Sequence, residues 1–284
     1  LIDIDSHTYN ISAQTIQEQR TLADKDSKVP SGLVAVHFGG SSCNMQEIDR
    51  VASNYQLSVV EDACHALGGS YGGKPIGSCQ YSYATVFSLH PVKSITSGEG
   101  GLIVTNEEEA YLKMKRARSH GISKGNSAEE PWRAEAISEG FNYRITEMQC
   151  ALALSQLKKL ESFVAKRRAL VQIYKEQLRG LPISPQHCKS GESAWHIFSV
   201  RFDFDALGVA KRVLYDRMLA KGVTMAVQYL AIHMHHYFKK KVSSPGSYQE
   251  AERYYDSAFS LPLHCGLQED DIVEICRRLR ESLG

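Results

Sequence analysis

Leu33 to His37 form a short apolar run that stops at Gly39-Gly40, which predicts a buried strand followed by a loop. Behind it, Ile48, Val51, Ala52 and Tyr55 recur at helical spacing. Asn44 precedes that helix with Glu47 three residues on, the pattern of a capping box. Leu57 to Val60, Tyr83 to Ser88 and Gly101 to Thr105 predict three more strands, the first ending abruptly in Glu61-Asp62. Strands alternating with helices predict a parallel sheet covered on both faces. A helix is expected from after Asn106 to about Arg118, then a long polar loop from Gly121 to about Gly140 containing Pro131 and Trp132. Thr146 and Gln149 form a second capping box. It opens a helical pattern through Leu152, Leu157, Leu160, Phe163, Leu170 and Tyr174 to Gly180, either one bent helix or two. The opening Leu1-Ile2-Asp3-Ile4-Asp5 has no initiator Met and reads like a strand, so more chain is expected upstream.

Leu181-Pro182 marks a domain boundary, dividing the chain into a larger α/β domain (1–180) and a smaller α+β domain (181–284). In the smaller one, His196 to Phe202 and Val223 to Leu230 predict strands. Val209 to Ala220 predicts a helix stopped by Gly222. Glu269 to Leu283 is an amphipathic helix with Ile272, Val273, Ile275, Cys276 and Leu279.

Composition narrows the class. With 284 residues, 43% hydrophobic and 23% charged, the chain can bury a sizeable core. A formal net charge of +1 and no long run of like charges argue against a nucleic-acid arm, and Lys239-Lys240-Lys241 reads as a solvated loop. Seven cysteines with no C-x-x-C pair argue against a disulfide framework and a cysteine zinc site, and for a reducing cytoplasm. No apolar run reaches membrane-span length, and no signal peptide is evident. His233, His235 and His236 crowd one segment, but no Asp, Glu or Cys nearby in sequence completes a ligand set, so no metal is expected. Trp132-Arg133 either touches substrate or packs its loop. Glu161, Lys166, Arg167 and Arg168 read as a solvated helix face.

Two segments carry chemistry. Asp62 ends a strand, where parallel α/β sheets place ligands. A carboxylate there can pair with a protonated heterocyclic nitrogen, or it can simply cap a helix. His65, three residues on, falls on the same side if the chain turns helically. Ser88 ends another strand, where a hydroxyl can meet a phosphate oxygen. Lys93 follows after a tight turn containing Pro91, among small residues and the Gly98-Glu99-Gly100-Gly101 stretch. A lysine enclosed in this way can be desolvated and aimed, as a Schiff-base lysine requires. An acid after one strand and a lysine after another together suit a pyridoxal phosphate site.

Glu61 to Gly68 (EDACHALG), Phe87 to Lys93 (FSLHPVK), Gly98 to Gly101 (GEGG) and Gly140 to Arg144 (GFNYR) resemble the DegT/StrS-type sugar aminotransferases, over essentially the whole chain. Val36-His37-Phe38 and Ser260 to Leu263 (SLPL) bring the likeness closest to the branch that serves pseudaminic acid biosynthesis. The resemblance implies an aspartate-aminotransferase-like fold with a mainly parallel sheet. It implies pyridoxal 5'-phosphate as cofactor, glutamate as amino donor and a 4-keto UDP-deoxysugar as acceptor. Lys93 would be the covalent and catalytic lysine, and Asp62 would pair with the pyridine nitrogen. His65 would lie near the 3-hydroxyl, and Ser88 would meet the phosphate or the substrate. Asn142 would reach the cofactor phosphate of the neighbouring subunit, which implies a homodimer with the site at its interface. Ala226, Val227, Gln228 and Tyr229 match a segment that contacts the nucleotide sugar.

Two departures stand out. The family tends to carry a histidine before that tyrosine and a proline soon after it, where this chain has Gln228 and Ala231. The family's Gly-Thr/Ser phosphate-binding turn precedes the position of Leu1, so the chain as it stands is expected to bind the cofactor weakly. A related sugar dehydratase is argued against by Lys93, since those enzymes carry histidine there. A dimerising homologue without turnover stays open.

Overall fold

The computed structural model describes residues 1–25, 30–124, 130, 132–188, 191–239 and 248–284. Pro131, Lys240 and Lys241 lie outside the described residues. Helix α1 (Ala13–Lys25) is followed by β1 (Gly32–Val36), α2 (Met45–Asn54) and β2 (Ser58–Asp62). A small hairpin of β3 (Ser70–Tyr71) and β4 (Lys74–Pro75) leads to β5 (Ala84–Ser88), β6 (Gly101–Val104) and α3 (Glu108–Ala117). Next come β7 (Ile122–Lys124), β8 (Ala134–Ala136), α4 (Glu147–Leu157) and α5 (Leu160–Gln177). The remainder comprises β9 (Ile183–Pro185), β10 (Phe198–Phe202), α6 (Phe204–Leu207), α7 (Lys211–Ala220), α8 (His236–Lys239), α9 (Gln249–Ser257), β11 (Ala258–Leu261) and α10 (Glu269–Leu283).

The main sheet has the order β1-β2-β5-β6, with β1, β2 and β5 parallel and β6 antiparallel to β5. The fold is therefore mixed α/β with a mainly parallel sheet. Register puts Val36, Asp62, Val86 and Ile103 in one row, and Ala35, Glu61, Thr85 and Val104 in the next. Neighbouring rows face opposite sides of a pleated sheet. One side carries Leu33, Ala35 and Val59 into a core with Ile48, Val51 and Ala52 of α2 and Ile16 of α1. The other, which carries Asp62, leaves Val34, Val36 and Ile103 exposed. Cover on both faces was expected, but here β2 reaches β5 through turns and the β3–β4 hairpin instead of a helix.

A second sheet, β11-β10-β9, is antiparallel. Its core joins Phe198 and Phe259 to Tyr174 of α5, Leu214 and Met218 of α7, and Ile272 and Leu279 of α10.

Several expectations change. Residues 1–5 form no strand, because their carboxylates cap other backbone: Asp3 accepts from the N–H groups of Glu250 and Ala251 (both 2.9 Å), and Asp5 closes its own turn to Thr8 (2.8 Å). Asn44 sits at the N-terminus of α2 but makes no capping box, since its Oδ1 is taken by the Tyr71 hydroxyl (2.8 Å). The polar loop contains the β7–β8 hairpin. There Trp132 is exposed, and Arg133 pairs with Glu130 and Glu135. The long helical pattern is two helices, α4 and α5, and the Thr146 capping box is complete. Residues 223–230 are no strand. Ala226 makes a single bridge to Ser260, and the next carbonyl in reach, that of Gln228, accepts from the Tyr254 hydroxyl (2.8 Å). Val273 points to solvent while Ile272, Ile275, Cys276 and Leu279 are buried.

Arg167 is buried, not on a solvated face. Its guanidinium donates to the carbonyls of Trp195 (3.2 Å), His196 (3.0 Å) and Leu263 (3.0 Å), which lie just before β10 and just after β11. Arg168 bonds Ser193 O (2.9 Å) and pairs with Glu192 (2.8 Å).

Candidate active site

The carboxyl ends of β2 and β5 are adjacent, and the chain delivers an acid from one and a lysine from the loop after the other. Asp62 closes β2. Its Oδ1 accepts from Cys64 N (3.0 Å), holding the chain in turns through Gly69 with no helix after it. The helix-capping alternative for Asp62 is therefore not what forms. Those turns bring His65 back within electrostatic range of Asp62.

Ser88 closes β5, and its Oγ accepts from His90 N (3.3 Å). The following loop is tied across itself. Leu89 N bonds Gly100 O (2.9 Å), Ser97 N bonds Leu89 O (3.0 Å), and the Ser97 hydroxyl holds Glu99 O (2.8 Å). Leu89 and Ile95 are buried beneath it. Lys93 stands on this anchored loop, half-buried, its own N–H on His90 O (3.0 Å).

The electrostatics follow from this crowding. Burial makes Lys93 less basic than a free lysine, only partly offset by Cys64 and Asp62. Burial and the Lys93 charge push His65 down to about 4. Burial and the adjoining Asp62 push the Cys64 thiol up to about 12, so it stays protonated.

Two residues with no place in the site from sequence alone pack against His65. The Phe38 ring centre lies 5.9 Å from that of His65, and the His196 ring centre lies 4.6 Å from it. His196 was legible only as the start of a strand, because its partners lie more than a hundred residues away. Phe38 in turn meets Tyr254 edge-on at 5.8 Å. The Tyr254 hydroxyl holds Gln228 O, which places the 226–229 segment one layer out from His65. Ala226 and Tyr229 are exposed there, Val227 packs on the second core, and Gln228 Oε1 is buried without a partner. Asn142 is not brought to Lys93. It is exposed and bridges the backbone of Ser119.

The histidine cluster separates. His233 bonds Glu252 (2.8 Å), an acid distant in sequence, and His235 bonds Leu230 O (3.2 Å). Among the described residues no three His, Cys, Asp or Glu side chains gather as a metal set, and no helix is long and apolar enough to cross a membrane.

A sequence profile of the DegT/DnrJ/EryC1/StrS aminotransferase family matches residues 1–280. The chain belongs to this family. It is 33% identical over 290 residues to the uncharacterized protein MJ1066 of Methanocaldococcus jannaschii, covering 100% of this chain and 73% of that one. It is 31% identical over 287 residues to the spore coat polysaccharide biosynthesis protein SpsC of Bacillus subtilis, covering 98% and 72%. Among solved structures it is similar to Helicobacter pylori PseC, an aminotransferase involved in the biosynthesis of pseudoaminic acid. There the TM-score is 0.87 at 28% identity, over 99% of this chain and 72% of that one. Aminotransferases of the DegT family depend on pyridoxal phosphate, and the pocket around Lys93 suits that group. It offers an amine for the aldehyde, a carboxylate for the ring nitrogen, and buried imidazole nitrogens on His65 and His196 that lack partners.

Proposed function

We propose that this DegT-family aminotransferase binds pyridoxal phosphate at Lys93 and transfers an amino group from glutamate to the 4-keto carbon of a UDP-linked deoxysugar. The setting is nucleotide-sugar synthesis of the pseudaminic acid type, in the cytoplasm, by a homodimer. The observation that supports this most is the convergence of Asp62 and a less basic Lys93 at adjoining strand ends. Likeness to PseC supports the sugar and the pathway type.

When bound, the cofactor supplies an electron sink at the carbon that gains or loses the amino group. Asp62 would hold the ring nitrogen protonated, which that sink needs. Lys93 would bond the cofactor and afterwards move a proton, a task helped by a basicity closer to neutrality than an exposed lysine has. His65 would lie near the 3-hydroxyl, and Ser88 would meet the phosphate or the substrate. Asn142 would serve the neighbouring subunit's site, and residues 226–229 would contact the nucleotide sugar. Gln228 there can hydrogen-bond a sugar or diphosphate but carries no charge.

Titration with pyridoxal phosphate tests the reading. A stoichiometric visible band is expected, absent in Lys93→Ala, and glutamate should bleach it as the amino group moves to the cofactor. A band that survives Lys93→Ala would refute the lysine assignment. A Lys93-dependent band that ignores glutamate would favour a homologue that binds without turnover.

A further inference from the structure

His65 and His196 are packed ring against ring, 4.6 Å apart and tilted by 41°. The Nδ1 atoms of both are buried and make no hydrogen bond. Native interiors keep few such atoms because each forfeits its bonds to water without replacement. Two of them on adjoining rings beside Lys93 describe a polar deficit that a ligand would fill.

The second ring is brought there by construction. His196 is 7% exposed and stands in the bend two residues before β10 of the second sheet. Arg167 grips the carbonyls on either side of its N–H, and Ala194 N bonds Gly40 O (3.0 Å). Gly40, at φ +100°, allows this approach: a Cβ there would lie 2.7 Å from Trp195 N. Trp195 takes a φ of +45°, costly for a bulky side chain, immediately before His196. Packing alone would be served as well by phenylalanine, without an unpaired nitrogen.

Charge selects the kind of group. Burial, His65 and Lys93 push His196 down to about 2, and His65 lies at about 4, so both rings are neutral at physiological pH. A neutral imidazole carries one N–H, and with the proton on Nδ1 it donates. Two such donors suit one oxygen that bears negative charge.

We propose that His196 is a further cofactor-binding residue, which together with His65 donates from Nδ1 to the phenolic oxygen of a pyridoxal ring held at Lys93. The proposal rests on the cofactor reading above and adds a residue to it.

The test compares wild type, His196→Phe and His196→Asn in titrations with pyridoxal phosphate and with its 3-deoxy analogue. His196→Phe keeps the packing and removes the nitrogen, so its melting temperature should hold or rise. Its dissociation constant for pyridoxal phosphate should rise by about tenfold, the scale of one charge-assisted hydrogen bond. His196→Asn, which keeps a donor near the Nδ1 position, should stay within about threefold. With the 3-deoxy analogue the penalty of His196→Phe should vanish. Equal affinities of wild type and His196→Phe, or a penalty that persists with the analogue, would overturn the proposal. If His196→Phe does not fold, imidazole 15N shifts in wild type decide. His196 Nδ1 should move on adding pyridoxal phosphate but not the analogue, and no difference would overturn the proposal. Absence of any Lys93-dependent band in wild type would overturn the cofactor reading as well, so the two failures are distinguishable.

Discussion

At the scale of single residues, the pair behind Asp62 matters as much as Asp62 itself. His37 is fully buried, and its Nε2 lies 2.7 Å from Glu61 Oε2. Cys43 N–H donates to His37 Nδ1 (3.2 Å), so the ring proton sits on Nε2 and points at Glu61. The Ser82 hydroxyl and Thr85 Oγ1 (3.1 Å) donate to the other carboxylate oxygen. These bonds join the ends of β1, β2 and β5, and His37 N adds one more to Asp62 O (2.9 Å). Burial raises the Glu61 carboxyl, but the three hydrogen-bond partners outweigh it and leave the group below its ordinary range. Glu61 therefore adds stability that is complete above the unfolded carboxyl's range. That contribution is lost as pH falls through the lower folded value. Glu61→Ala should cost about 3 kcal/mol in urea unfolding at pH 7, since it strands buried donors. Glu61→Gln should flatten the acid limb of the melting-temperature profile. Unchanged acid sensitivity in Glu61→Gln would show that other carboxyls set it. At the catalytic side, Asp62→Asn should retain the Lys93-dependent band yet slow amino transfer by about a hundredfold or more, measured in single turnovers with glutamate.

At the scale of elements, α4 supports the lysine loop through its cap. Thr146 Oγ1 accepts from Gln149 N (3.3 Å), Gln149 Oε1 accepts from Thr146 N (3.0 Å), and Gln149 Nε2 donates onward to Glu99 O (3.0 Å). One side chain thus caps a helix and holds the loop that carries Lys93. Gln149→Ala should lower stability by about 1 kcal/mol through the cap. It should also loosen the loop, seen as faster amide exchange at Leu89 and Ser97 whose partners lie within it. Exchange unchanged at those amides would separate the cap from the site. This capping box was readable because its residues are three apart. The one expected at Asn44 failed because Tyr71, twenty-seven positions away, competes for the same oxygen. The same division runs through the rest of the chain. Asp62, Ser88 and Lys93 could be placed at strand ends because short apolar runs announce those ends. Arg167, His37 and His196 owe their places to partners that no local pattern reveals. Residues 223–230 have the composition of a strand, but only one bridge to β11 forms, so propensity alone was no guide there.

At the scale of the whole molecule, part of the apolar surface left open lies on and just before α4. Helix α4 buries none of its residues in this chain, although Met148 is 82% exposed and Leu152, Leu154 and Leu157 are all exposed. Phe141 and Tyr143, stacked at 4.7 Å, flank the exposed Asn142 just before that helix. A helix that carries large apolar side chains ordinarily packs them on a core, and a monomer rarely leaves several large side chains of one element in water. A second copy of this chain placed against α4 would cover part of that apolar surface. It would also bring Asn142 to a neighbouring Lys93 pocket, the position that the proposed function assigns to it. Met148→Glu combined with Leu154→Glu should then halve the mass seen by sedimentation at micromolar concentration while leaving the circular dichroism unchanged. The same variant should bind pyridoxal phosphate more weakly, and so should Asn142→Ala, whose mass stays that of the wild type. Loss of cofactor affinity in the double variant but not in Asn142→Ala would mean that the partner supports the pocket without lending Asn142. A wild type already monomeric would place the open face of α4 outside any contact between copies.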